Sequence, residues 1–494
     1  MNSQEWRRAA AATLLAGLTT VSLAMASPVE EIPITTKSAA ARMDFIAGQA
    51  ALDRGDGAQA NALFRAAVAA DADFTYGWLN LGNVAFSTEE FAESQKRAIA
   101  AGAKASDGER LLVQINQRFL DNDFQSQLAL AQQLVEKYPR SPRAWLALAG
   151  VQGGINKFVE QRQSIAKAIA LDPNLAAAPF AMGTSYLFNE PRDFAQAEKY
   201  YRQAIALEPG EDNYWWSLGD VFRATNRLEE AREYYTRATL LDPHDGTAPV
   251  KLGHVDSFLG RYDAARSDYD RGIANADAAT KPFLANYRTF TWVHAGEPKT
   301  AVLGLEKLAA DSDTMDVPAD QRAGAKVFAL TNAAQIALHS GLNDDASRVI
   351  GKLAAVLRAN AKIVGTPEFS AIQEAQIVYQ EGQLAARKGD YAQALSLAKK
   401  NADLVAKQQN PRKMENYHDL TGLISLSQKK YSEAVAEYRK ADLTNMYTKY
   451  HLALALQGAG QADEARKIFK EVGSWNFNTA GFALIRKDAL ARAG

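Results

Sequence analysis

Apolar residues along this chain recur at helical spacing, and the recurrence itself repeats. "TYGWLNLGNVAF" from residue 75, "SPRAWLALAGVQ" from 142, "DNYWWSLGDVF" from 212 and "GTAPVKLGHVDS" from 246 each open such a stretch, and a second stretch follows, as in "LEEAREYYTRATLLDP" from 228. Trp215, Leu218 and Phe222 stand at i, i+3 and i+7, one stripe of a helix that packs on the helix after it. Gly219 and Ala231 are small where the two antiparallel helices approach each other. Pro243 ends the second helix, because the residue before a proline is biased away from helical geometry. The same stop is read at "LDP" from 171 and "LEP" from 207.

The turn inside each unit is an independent sign. Five residues before the small residue of the second helix stand Gly55, Gly260, Gly296, Gly341, Gly389 and Gly460, with Asn122, Asn156 and Asn226 in the same register. Gly and Asn accept the left-handed conformation that ends a helix. Glu89, Arg192 and Lys429 occupy that place elsewhere and are expected to break the rule. The small-residue positions Ala60, Ser94, Gln127, Gln161, Ala197, Ala231, Ala265 and Ala301 follow one another at 33 to 36 residues, and Ala346, Ala394, Ala434 and Ala465 come after 45, 48, 40 and 31. The wider steps predict longer helices or insertions, notably at 311–324 and 360–369. The expected organisation is a regular array over 41–280, looser hairpins over 281–478 and a capping helix over 479–494.

The unit from 212 resembles the tetratricopeptide repeat (TPR), a helix-turn-helix of about 34 residues with the pattern W-x2-L-G-x2-Y…A-x3-F…P. Trp215, Leu218, Gly219, Phe222, Ala231, Tyr235, Ala238 and Pro243 carry the likeness, with Phe222 for Tyr and Tyr235 for Phe as its departures. The matching positions put Trp78, Gly82, Trp145, Gly183, Gly253 and Ala265 in the repeat core as well. The resemblance implies an all-α fold, a right-handed superhelical array of about twelve antiparallel hairpins with a C-terminal capping helix. It also implies an inner groove lined by the first helix of each hairpin, where partner proteins or peptides bind.

Projected onto that geometry, the groove side shows Asn80, Asn83, Asn116, Trp216, Asp220, Arg223, Lys251 and His254. Trp215 is expected to be buried between the helices and Trp216, off the stripe, to face the groove. An Asn side chain can grip a peptide amide with two hydrogen bonds, and a Trp can anchor a partner. The alternative is that these are ordinary solvated helix residues, with Trp216 packed on the neighbouring hairpin. The family's clamp for C-terminal carboxylates needs Lys and Arg beside Asn in successive units, and they are missing around Asn80, Asn83 and Asn116.

Charge and composition narrow the partners. With 56 basic and 57 acidic side chains among 494 residues, nothing draws the chain to nucleic acid or an anionic membrane. Residues 1–26 combine a basic start, an apolar stretch and Ala24-Met25-Ala26 before Ser27, the form of a cleaved signal peptide, so an exported, more periplasmic than released, product is expected. The absence of cysteine removes disulfides and a lipid anchor. Residues 27–40 read as a flexible leader.

Catalytic constellations are not evident. His244, His254, His294, His339, His418 and His451 are scattered, and no phosphate loop, nucleophile elbow or dinucleotide fingerprint occurs. Asp311, Asp313 and Asp316 lack the glycine and distal Glu of a calcium loop. No metal and no cofactor are expected. The leading expectation is a non-enzymatic exported scaffold for a protein or peptide, in envelope assembly, polysaccharide export or secretion, with self-association left open. An enzyme with a site in 309–375 and an RNA-binding repeat protein are the alternatives.

Overall fold

The computed structural model describes residues 30–494 apart from 122, 409 and 411. The expected signal peptide (1–26) and the turn residue Asn122 therefore lie outside the described residues. Among those described there are twenty-five α-helices and no strand. None of the helices is long and apolar enough to cross a membrane. Twenty-four of them pair into twelve antiparallel hairpins, and the last, α25 (Ala480–Ala493), follows alone.

The chain forms two compact units, one holding residues up to Gln49 and Gly57–Asn174, the other Ala50–Asp56 and Leu175–Gly494. The division falls after Asn174. The first unit contains α1 (Ala39–Asp53) to its last turn, α2 (Gly57–Ala70), α3 (Thr75–Asn83), α4 (Thr88–Ala101), α5 (Asp107–Leu120), α6 (Phe124–Lys137), α7 (Pro142–Gly154) and α8 (Phe158–Leu171). The described part of the leader is held down on this unit. Ile32 is buried among Leu134, Tyr138 and Leu148, Thr35 N donates to Glu109 Oε1 at 2.9 Å, and Ser106 Oγ donates to the Pro33 carbonyl at 3.1 Å. Glu109 is itself buried, so its carboxylate, which also accepts from Ser106 N, needs these donors.

The second unit runs through α9 (Ala177–Phe188), α10 (Phe194–Leu207), α11 (Asp212–Ala224), α12 (Leu228–Leu241), α13 (Thr247–Phe258), α14 (Tyr262–Asn275), α15 (Lys281–His294) and α16 (Pro298–Asp311). It continues with α17 (Ala319–His339), α18 (Asn343–Val364), α19 (Pro367–Arg387), α20 (Tyr391–Val405), α21 (Glu415–Ser427), α22 (Tyr431–Tyr438), α23 (Met446–Gly458) and α24 (Ala462–Gly473). The wide repeat steps are long helices: α17, α18 and α19 have 21, 22 and 21 residues. Region 309–375 is made of these helices and short connections, and Asp311 and Asp313 pair with Lys307 and Lys326.

The expected turns take the left-handed conformation: Gly55, Asn156, Asn226, Gly260, Gly296, Gly341, Gly389 and Gly460 have φ between 60° and 84°. Lys429 does so too, at 61°, although it was expected to break the rule. There the Lys430 N–H closes on the Ser425 carbonyl at 2.8 Å, the bond that Arg227 makes to Phe222 in the unit from 212. The turn geometry outweighs the steric cost of a side chain at that one position. Gly219 lies under the Tyr235 ring, so close that a Cβ would sit 2.6 Å from it. Gly253 meets Tyr269 in the same way. Leu218, Phe222, Ala231, Tyr235 and Ala265 are fully buried, as repeat-core positions should be.

Candidate functional site

The inner helices α11 and α13 bring five of the expected groove residues together around a buried carboxylate. Asp220 Oδ1 accepts from Arg223 Nη2 and from the Tyr235 hydroxyl, each at 2.7 Å, and Oδ2 accepts from Lys251 Nζ at 2.7 Å. The Lys251 ammonium in turn lies 4.4 Å from the centre of the Trp216 ring. Burial alone would raise the Asp220 carboxyl, but the Lys251 and Arg223 charges and these hydrogen bonds hold it below the usual carboxylate range. His254, one turn beyond Lys251, accepts at Nδ1 from the Tyr269 hydroxyl at 2.7 Å. Burial, then the charges of Arg223 and Lys251, push it well below the ordinary histidine value, so it is neutral.

This face is not open. After α24 the chain crosses it without helical structure from Trp475 to Thr479 and then enters α25. Asn476, wholly buried in a left-handed conformation, donates from Nδ2 to the Arg223 carbonyl (3.0 Å) and Asn226 Oδ1 (2.9 Å), while its Oδ1 accepts from Arg486 Nε at 3.1 Å. Phe477 packs under the Arg223 guanidinium, 4.5 Å from carbon to ring centre. Asn478 donates to the Tyr269 hydroxyl at 3.0 Å, and its Oδ1 takes the Nε2 hydrogen of His294 at 3.1 Å. Burial lowers His294 to about 4, which keeps it neutral in that bond. Phe482 meets Phe258 edge to face, and Arg486 Nη1 caps the Phe258 carbonyl at 3.1 Å.

Five of the eight expected groove residues thus lie together in the second unit, but Asp220, Arg223 and His254 are only 3%, 4% and 8% exposed. They serve the chain's own segment and not an open channel. Lys251 and Trp216 are half-buried. In the first unit Asn80 is buried and donates back to the Tyr76 carbonyl of its own helix, Asn116 donates to Gln95 Oε1 at 2.6 Å, and Asn83 alone of the three is exposed.

The tryptophans also correct the expectation. Trp215 is half-buried: its ring stacks on Tyr234, and its neighbours include Arg237 on the second helix of the hairpin. Trp216 packs at the edge of the cluster built on Leu218, Val221 and Phe222. The residue wholly enclosed there is Tyr214, which sets the stripe at 214, 218, 221 and 222. Trp78 and Trp145 are likewise half-buried. The sequence reading missed Tyr214, Asn476, Phe477, Asn478 and Phe482. The i, i+4, i+7 spacing from Tyr214 and the "WNFN" stretch between two helices were the available signals.

A tetratricopeptide repeat family model matches residues 47–107 and 181–246. The hairpins within those two stretches are similar to tetratricopeptide repeats, and the paired helices with their left-handed turns form an all-α array. No curated protein matches the chain. Solved structures similar to parts of it include that of MamA, 18% identical with a TM-score of 0.30 over 34% of this chain and 94% of that one. YrrB, described as a TPR protein with an unusual peptide-binding site, is 18% identical with a TM-score of 0.29 over 40% and 97%. PilW, described as a type IV pilus biogenesis factor, is 16% identical with a TM-score of 0.36 over 43% and 97%.

Proposed function

We infer that the chain is a non-enzymatic scaffold, exported by residues 1–26 into the periplasm, that holds a protein or peptide partner on its helical hairpins. The observation that supports this reading is the manner in which the array holds its own segment from Trp475 to Asn478. Two Asn side chains and one aromatic ring fix a non-helical stretch against the inner helices. That is the chemistry by which a repeat surface takes an extended peptide. Near-equal positive and negative charge favours a protein over nucleic acid as the partner.

The test is in-cell photocrosslinking with the crosslinker placed at Asn83, which is exposed, and at Trp216, followed by identification of what is captured. The reading expects one defined envelope protein in the periplasmic fraction, and N-terminal sequencing of the mature chain should begin at Ser27. Recovery of only background proteins from both positions, or a chain retained in the cytoplasm with its first residues intact, overturns it.

A further inference from the structure

The last four hairpins carry a second site, independent of the segment that crosses α11 and α13. The first helices α17, α19, α21 and α23, with Tyr438 of α22, enclose a cavity of about 230 Å³ whose walls are largely polar side chains. It is smaller than the roughly 300–1,000 Å³ of pockets that take drug-sized ligands, so its occupant is a small metabolite and not a helix or an oligopeptide.

Two opposite charges face this cavity without meeting. Arg387 donates from Nη2 to the Tyr447 hydroxyl at 3.2 Å. Asp419 accepts from the Tyr379 hydroxyl at 2.7 Å and from Thr448 Oγ1 at 2.9 Å. Neither takes part in an ion pair among the described residues; burial raises the Asp419 carboxyl, and its hydrogen bonds and then the Arg387 charge work against that rise. The contrast with Asp220 is informative, because there the same fold brings a buried carboxylate into direct contact with Arg223 and Lys251. A cation and an anion kept apart in a partly desolvated cavity are costly unless something bridges them.

Three more polar atoms in these walls lack a partner among the described residues: Arg387 Nε, Gln380 Oε1 and Thr331 Oγ1. Orphaned polar atoms of this kind call for an occupant with both donors and acceptors. The histidines beside Tyr447 add no charge near neutral pH. Burial, with a smaller contribution from Arg387, lowers His339 to about 4 and His451 to about 3. The cavity therefore presents one cation and one carboxylate, with apolar wall supplied by Leu338 and Leu423.

We propose that this cavity binds a free α-amino acid with an uncharged side chain, its carboxylate held by Arg387 and its ammonium by Asp419. A guanidinium and a carboxylate facing one small space match the two adjacent ends of such a zwitterion through charge-assisted hydrogen bonds. A third charge would have no partner, which sets the preference for an uncharged side chain.

The experiment uses the full chain and measures calorimetric binding and thermal melting with the individual L-α-amino acids. N-acetyl and carboxamide derivatives of whichever binds, and glucose, are measured alongside. The expected result is that one or more uncharged amino acids binds and raises the melting temperature. Either derivative should bind about tenfold or more weakly than the parent, because each removes one charge-assisted contact. Arg387→Gln should weaken the amino acid by a similar factor while leaving the weak binding of its carboxamide unchanged. Asp419→Asn should do the same with the N-acetyl derivative. The derivative series on the unmodified chain stands even where a variant fails to fold. Absence of binding by every amino acid, glucose binding in their place, or derivatives that bind as tightly as the parent would each overturn the proposal.

Discussion

The indole of Trp215 donates to the Pro209 carbonyl six residues earlier, at 2.9 Å. Trp78 and Trp145 make the same bond, to the carbonyls of Ala72 and Pro139, at the same distance. The repeat tryptophan therefore fastens the start of its helix to the turn that follows the preceding one. Two different substitutions should separate bond from ring. Trp215→Phe loses the bond and is expected to cost about 1 kcal/mol, whereas Tyr214→Ala, at a fully enclosed position, should cost about 3–5 kcal/mol. Urea denaturation followed by circular dichroism measures both, and equal losses would contradict the assignment of Tyr214 as the interior residue.

Lys429 holds a left-handed turn that its side chain makes costly. Lys429→Gly is expected to stabilise the chain by up to about 1 kcal/mol, while Gly460→Ala, at φ 82°, should destabilise it by about the same. A shift of the two melting temperatures in the same direction would be inconsistent with the turns seen here.

Asp220 neutralises two cations, the buried Arg223 and the half-buried Lys251, so its removal leaves both unpaired. Asp220→Ala is expected to cost about 3–5 kcal/mol, and the double variant that also carries Lys251→Met should be less damaged than the sum of its parts. A double-mutant cycle from denaturation midpoints gives the coupling directly, and strict additivity would argue against the shared bond.

Acid should loosen the second unit before its carboxylates titrate fully. Burial is the first cause that lowers His294 to about 4 and His451 to about 3, against roughly 6.5 in an unfolded chain. Between those values the unfolded chain binds more protons than the folded one. Stability is therefore complete above about pH 6.5 and is lost as pH falls toward 4, by up to about 3 kcal/mol for His294. Melting temperature followed from pH 7 to 4.5 should fall, and His294→Gln should flatten that fall.

Most of the fold was legible because it is written locally. Helical spacing, small residues where helices approach and Gly or Asn at the turn depend on neighbours within one hairpin, so twelve hairpins and a final helix could be counted from the chain alone. Lys429 shows the limit of residue type as a signal, since the same turn forms without the favoured residue. The groove was legible only in part. Trp216, Asp220, Arg223, Lys251 and His254 were assigned to one face by periodicity, but periodicity carries no information about what covers a face. Asn476 and Asn478 reach that face from residues more than two hundred positions away, as in the 224-residue separation of His254 and Asn478. The cavity at Arg387 and Asp419 was hidden for the same reason, because its walls come from helices of four successive hairpins.

The bond from His294 to Asn478 spans 184 residues, and it bears on the order in which the protein is made. Ribosomes deliver α11, α13 and α15 long before residues 476–486 exist. Until that stretch arrives, His254, Tyr269 and His294 lack their amide partner, and Phe258 lacks the ring of Phe482. Early folding of this unit is consequently provisional until residues 476–486 dock on it. A product cut short before residue 474 would display an unfilled, partly apolar face, the kind of surface that chaperones hold and proteases attack.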